Sequence, residues 1–201
     1  MLPEVPSEGA YTSWLANCLQ SYFEATGFSF FYETQSQPRE ADFPFDICAK
    51  IEKGNVVKRF GLQVKRPHES KGGIYWNLDS VQHNNMSKFP WIWYAFPDFL
   101  DRKYYRVACF HTLFTNSSFP HVSSLHKSKL RFYYRLGSFS DRVKACTIGQ
   151  KLEKSSDWLS SESIFGEFHF DNQIHTYLDF TEMKTKLVTK ISNEENEQNE
   201  M

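Results

Sequence analysis

Pro44-Phe45-Asp46-Ile47 and, further on, Gln63-Val64-Lys65 flank the turn Lys53-Gly54-Asn55-Val56. A Gly-Asn pair supplies the positive φ angles that a two-residue hairpin turn demands. If Lys53 faces Val56, Asp46 falls opposite Gln63. Side chains alternate along strands, so Lys65 shares their face. Phe45, Ile47, Ala49, Leu62 and Val64 are then expected on the other face, in a core. One hairpin thus presents an acid, an amide and an amine together, a grouping suited to a divalent cation and a phosphate.

Upstream of the hairpin, Tyr11, Trp14, Leu15, Cys18, Leu19, Tyr22 and Phe23 recur at the spacing of one helical face. A helix is therefore expected over 8–25, with Ser7 as N-cap and Gly27 as its stop. Phe28 to Tyr32 reads as a strand, and Gln35 to Phe43 as a polar loop. Strands are expected at about 45–52 and 56–66, then a loop from Pro67 to Gly73 and a short helix over 78–88. Trp91 to Phe96 reads as a buried strand with Tyr104 to Phe110 as its neighbour. Thr112 to Lys129 reads as a long loop, and Arg131 to Leu136 as a further strand. A terminal helix is expected over 181–191. The order points to an α/β fold, a mixed central β-sheet flanked by helices. Residues 1–110 form its core and 111–191 a C-terminal extension with a basic segment. The tail, 192–201, has the composition of a disordered acidic segment.

The chain has 201 residues, 17% of them aromatic, enough for one domain with a generous core. No apolar run approaches the roughly 20 residues needed to span a bilayer. No basic-then-apolar leader opens the chain. Cys18, Cys48, Cys109 and Cys146 are scattered, which reads as reduced thiols of a cytoplasmic protein. The net charge is −1, yet residues 102–154 hold eleven Lys and Arg against only Asp141 and Glu153. A basic second half suits either a phosphate-facing surface or an ordinary solvated one.

Helix, strand, then a hairpin carrying Asp46 and Gln63-Val64-Lys65 resembles the PD-(D/E)XK phosphodiesterase superfamily over roughly residues 7–110. More narrowly, it resembles the Mrr-like nucleases, in which Gln replaces the second acid. The resemblance implies a restriction endonuclease-like core and a site binding Mg²⁺ or Mn²⁺. It implies Asp46 as carboxylate ligand, Gln63 and the Val64 carbonyl as neutral ligands, and Lys65 acting on water or phosphate. Mg²⁺ suits such a site because it takes one or two carboxylates and keeps several waters. Gln63 brings an oxygen but no charge. In the superfamily an acid from the first helix often completes the site. Glu8 lies on the apolar stripe of that helix, although an acid in a first turn also complements the helix dipole. Glu40, in the preceding loop, and Gln82, at the start of the second helix, are further candidates. Asp46 and Lys65 also suit a plain cross-strand ion pair.

The run from Lys127 to Arg135 mixes bases with aromatics, and Lys127, Lys129, Arg131 and Arg135 are its candidate nucleic-acid contacts. It equally suits an edge strand with one charged face. His83-Asn84-Asn85 is only superficially similar to a His-metal finger nuclease, with no ligand spacing around it, and His121 with His126 and His169 with His175 lack acids or cysteines suited to zinc and read as surface or structural. The resemblance therefore implies a metal-dependent nuclease cutting DNA, in defence against foreign DNA, as a homodimer or with an ATPase or helicase partner. Two alternatives stand beside it: a nuclease-like fold serving as a binding or assembly module, and an RNA endonuclease.

Overall fold

The structure is a computed structural model that describes residues 5–34, 44–145 and 147–152. Helix α1 runs from Glu8 to Ala25. Ser7 Oγ accepts from the Ala10 amide at 3.3 Å, and Gly27, with φ 78°, ends it. Its apolar stripe buries Tyr11, Leu15, Cys18, Leu19, Tyr22 and Phe23. Three antiparallel strands follow: β1 (Ser29–Thr34), β2 (Ile47–Lys53) and β3 (Val56–Val64). Lys53 faces Val56 across the Gly54-Asn55 turn, and Gly54 takes the left-handed φ of 58°.

A hairpin replaces the expected loop at Pro67 to Gly73: β4 (Pro67–Ser70) pairs with β5 (Gly73–Asn77). Helix α2 (Ser80–Met86) follows, capped by Asp79. Strand β6 (Ile92–Pro97) then runs parallel to β3. Its other neighbour is β7 (Thr112–Thr115), antiparallel. The expected strand at Tyr104 to Phe110 is instead a 3₁₀ segment, Arg102–His111, begun by Asp101 accepting from the Lys103 amide. The stretch read as one long loop holds β7 and β8 (Ser124–His126), which pairs with β5. Arg131 to Leu136 makes only a single bridge, Tyr134 to Phe114. Helix α3 (Leu136–Lys144) and β9 (Gln150–Lys151) complete the described chain, β9 lying against β3.

The central sheet has the order β1-β2-β3-β6-β7, with β9 beside β3, and β4-β5-β8 form a second sheet. Both faces of the central sheet are covered, so β3 and β6 are buried almost along their whole length. On one face, α1, α3 and the 3₁₀ segment pack on Ile47, Ala49, Leu62, Val64, Trp93 and Ala95. Phe139 of α3 lies 4.2 Å from Phe114 and 5.7 Å from Phe60, centroid to centroid. On the other face, Trp76, Leu125, Met86 and Leu78 cover Cys48, Ile92, Tyr94 and Phe96. Residues beyond 110 thus supply a strand, a helix and a sheet edge to the same cores as those before it.

Cys18 and Cys109 form a disulfide, Cα atoms 5.6 Å apart, which ties α1 to the 3₁₀ segment. This replaces the expectation of reduced thiols for that pair; Cys48 is a free, buried thiol. The pairing is tertiary: the apolar stripe of α1 lands on Ala108, Cys109 and Phe110. Among the described residues no helix is long and apolar enough to cross a membrane. The expected terminal helix, the acidic tail, Cys146, His169 and His175 lie outside the described residues.

Candidate active site

The site grows from a defect in the β2–β3 ladder. The Asp46 amide donates to the Leu62 carbonyl at 2.8 Å, although Leu62 is the register partner of Ile47. Two residues therefore oppose one, the signature of a β-bulge. The extra residue reverses the alternation upstream of it. Phe45 consequently packs against Trp91, 5.7 Å between centroids, in the second core and not beside Ile47 as expected.

The bulge also decides what the Asp46 carboxylate does. Its Oδ2 accepts from the Val64 amide and from Gln63 Nε2, both at 2.7 Å. The carboxylate stands in for the backbone carbonyl that a regular strand would offer Val64. Gln63 is 1% exposed, and its Oε1 is buried with no hydrogen-bond partner among the described residues. A buried amide oxygen left without a donor is costly unless a cation or water meets it.

Lys65 follows Gln63 on the same side of the chain, because its amide extends the β3–β6 pairing by donating to Ala95 O at 3.1 Å. Its side chain is largely buried, and its Nζ lies 3.8 Å from Glu8 Oε1. The other oxygen of Glu8 accepts from the Arg66 amide at 3.0 Å. The first turn of α1 is thereby fastened to the end of β3. Glu8, read from its place on the apolar stripe, reaches the lysine of the hairpin.

Two further residues join this group that the sequence reading did not single out. The Arg66 guanidinium donates to Val5 O at 2.8 Å, and so is held at the start of α1. His68 stacks on Tyr75 with centroids 5.2 Å apart. Burial holds its pKa below the ordinary histidine value, the Arg66 charge pushes the same way, and the Glu8 charge opposes both. Their only signal in the sequence is adjacency: both lie within three residues of Lys65.

Other candidates fall elsewhere. Glu40 lies outside the described residues. Gln82 occupies the first turn of α2, where its amide donates to Asp79 Oδ1; it makes no hydrogen bond to Asp46, Gln63 or Lys65. Lys127 and Arg135 converge on Asp98 Oδ2, at 2.7 and 3.3 Å, so a protein carboxylate already occupies both. Lys129 is exposed in a 3₁₀ turn, and Arg131 lines a cavity near the end of β7. His83 is structural. Its Nε2 donates to Phe119 O at 3.0 Å, its Nδ1 accepts from the Tyr94 hydroxyl at 3.2 Å, and burial lowers its pKa.

Among the described residues no three His, Cys, Asp or Glu side chains gather as metal ligands. The donors at the bulge are the Asp46 carboxylate, the orphaned Gln63 oxygen and the Val64 carbonyl, and Glu8 meets Lys65 and the Arg66 amide at the end of the same strand. That set fits a hard, water-retaining cation such as Mg²⁺, which needs only one or two carboxylates. It does not fit zinc, which takes mostly His and Cys. Set against family models, curated proteins and solved structures, the chain matches none.

Proposed function

We propose that the chain is a metal-dependent nuclease that hydrolyses DNA phosphodiester bonds, using Mg²⁺ or Mn²⁺. The observation that carries this reading is the pairing of Asp46 with Gln63, whose buried Oε1 lacks a partner, beside Lys65 and Glu8. The order of elements supports it: a helix, three antiparallel strands, the β4–β5 hairpin of the second sheet, a helix, then a strand parallel to the third. With the hairpin taken as an insertion, that order is the one expected of a restriction endonuclease-like core.

Asp46, Glu8, the Gln63 oxygen and the Val64 carbonyl are the groups that would hold the ion. When bound, the cation supplies positive charge against the negative charge that builds on the phosphate. Asp46 enters this role already oriented, since two N–H donors, from Gln63 and Val64, fix its Oδ2. The Lys65 ammonium, largely withdrawn from water, offers a second positive charge to the phosphate or holds the attacking water. Glu8 positions that ammonium. Gln63 contributes an oxygen without charge, so the site carries less negative charge than one with Glu at this position.

One observation favours a second reading. Asp46 Oδ2 is fully used in closing the bulge, a structural duty that a binding or assembly module would retain. The test is incubation of the full chain with plasmid, linear duplex, single-stranded DNA and RNA, in Mg²⁺, in Mn²⁺ and in EDTA. DNA cleavage that needs metal and vanishes in Lys65→Met is the expected result. Cleavage of RNA alone would reassign the substrate, and no cleavage of any substrate would remove the nuclease.

A further inference from the structure

Beside the end of β7 lies a cavity of about 350 Å³. That volume is at the lower end of the range for small-ligand sites, enough for one small ring system rather than a chain. Four of its eight lining residues are aromatic: Trp93, Phe132, Tyr133 and Tyr134. Trp93 spends its indole N–H on Pro90 O, at 3.2 Å, and packs on Tyr134 with centroids 5.8 Å apart. Phe132 stands at the rim, 84% exposed, although such a side chain ordinarily avoids water. Thr115 pins the rim to the sheet, its hydroxyl donating to Phe132 O at 2.8 Å.

The other four lining residues, Thr115, Asn116, Ser118 and Arg131, are polar. Asn116 Oδ1 accepts from the Ser118 amide at 3.3 Å and from the Ser118 hydroxyl, which turns the carboxamide N–H₂ free for an outside acceptor. Arg131 is exposed and makes no ion pair among the described residues, unlike Lys127 and Arg135, which share Asp98. Stacking faces, an amide donor and an unshared guanidinium together match a planar heterocycle that carries an anion. A nucleotide has that chemistry.

The cavity lies two strands from the site in the central sheet, its Trp93 wall on the α1 face. Gln63 pairs with Tyr94, and Tyr94 with Thr115, so Gln63 and Thr115 share one row of the sheet two strands apart. Two strand spacings are roughly 10 Å. We propose that this cavity takes one unpaired base of the strand whose backbone lies at Asp46, Gln63 and Lys65, with Arg131 on a flanking phosphate. The substrate is then single-stranded or locally unpaired DNA. The assignment of the strand to DNA rests on the nuclease reading; the pocket's chemistry does not.

The test reads binding in EDTA, where no metal-dependent cleavage occurs. The full chain is titrated with a short single-stranded deoxyoligonucleotide carrying one 2-aminopurine, and with the same strand made abasic at that position. The base-bearing strand is expected to bind about tenfold more tightly, with 2-aminopurine fluorescence quenched on stacking. Phe132→Ala should erase that preference, while Arg131→Ala should weaken both strands alike. Both side chains are exposed, so the melting temperature should hold in each variant. Equal affinity for the two strands, an unchanged preference in Phe132→Ala, or equal binding of a fully paired duplex would overturn the proposal. Free dAMP binding as tightly as the strand would assign the cavity to mononucleotides and overturn it too. Cleavage in Mg²⁺ without base preference removes the pocket and keeps the nuclease; base preference without cleavage does the reverse.

Discussion

Asp46→Ala and Asp46→Asn separate the two duties of this carboxylate. Alanine leaves two buried donors unpaired: the amide of Val64, a residue with no exposed surface, and Nε2 of Gln63, 1% exposed. Each orphaned donor costs about 1–3 kcal/mol. Asp46 itself is only half-buried, so water can replace part of the loss, which places the total near the lower end, about 2–3 kcal/mol. For a chain of this size that is a fall in melting temperature of roughly 5–10 °C. Asparagine keeps an acceptor oxygen and loses only charge assistance, about 1 kcal/mol or roughly 2–4 °C. Thermal melts followed by circular dichroism, with and without Mg²⁺, read both duties. Wild type at a hundredfold excess over its Kd should gain about 2.7 kcal/mol from the ion. Asp46→Asn should gain little and should not cleave. If alanine melts with asparagine, the bulge argument is wrong. If Asp46→Asn is stabilised by Mg²⁺ and cleaves as wild type does, Asp46 holds no metal.

Gln63→Glu sets a second carboxylate against Asp46 Oδ2, so the melting temperature should fall in EDTA and recover in Mg²⁺; equal shifts in both conditions would contradict a cation there. Removing the Cys18–Cys109 bond, which closes a sequence separation of 91 residues, should cost about 4.6 kcal/mol by loop entropy, read as a lower melting temperature in reductant. No change on reduction would refute it. Lys144 lies against the rings of Tyr22, Phe23 and Phe28, and burial lowers its pKa to about 8 from 10.5, Lys53 adding to the effect and Asp141 opposing it. Between those values the unfolded chain holds a proton that the fold has released, so this amine makes stability rise with pH across the window. Lys144→Met should flatten that rise and leave the neutral-pH melting temperature equal or higher; an unchanged pH slope would show that the amine keeps its ordinary pKa.

Local signals carried much of the fold. The helical stripe from Tyr11 to Phe23, its Ser7 cap and the Gly54-Asn55 turn act over a few residues, and the structure places them as read. The hairpin register followed as far as Ile47; Asp46, expected opposite Gln63, instead meets Leu62 at the bulge and reaches Gln63 through its side chain. What escaped depends on distant partners. Nothing near Phe45 announces that both the Asp46 and Ile47 positions meet Leu62, so its side chain went to the wrong face. Tyr104 to Phe110 has the aromatic content of a strand, but its buried end, Ala108 to Phe110, packs beneath α1 and is tied to Cys18. Tertiary packing overrode a weak propensity there. Lys127 and Arg135 read as free bases because Asp98, their partner, lies far away in the chain.

The short strand β9 matters out of proportion to its two residues. Arg59, 1% exposed and stacked on Trp91, donates to the Gln150 side chain, clamping β9 against the first half of β3. Gly149 permits the close approach: a Cβ there would lie 2.6 Å from Arg59 O, and its φ of 88° excludes most other residues. β6 covers only the second half of β3, from Gly61 onward. During synthesis, therefore, the Lys58–Arg59 edge lacks β9 until residue 151 has left the ribosome, after the other described strands of both sheets have emerged. An open edge beside a finished core is a template for pairing between chains. A chain shortened before Gly149 should accordingly tend to associate through β3, and nascent chains should depend most on dilution or chaperones in the interval before residue 151 emerges.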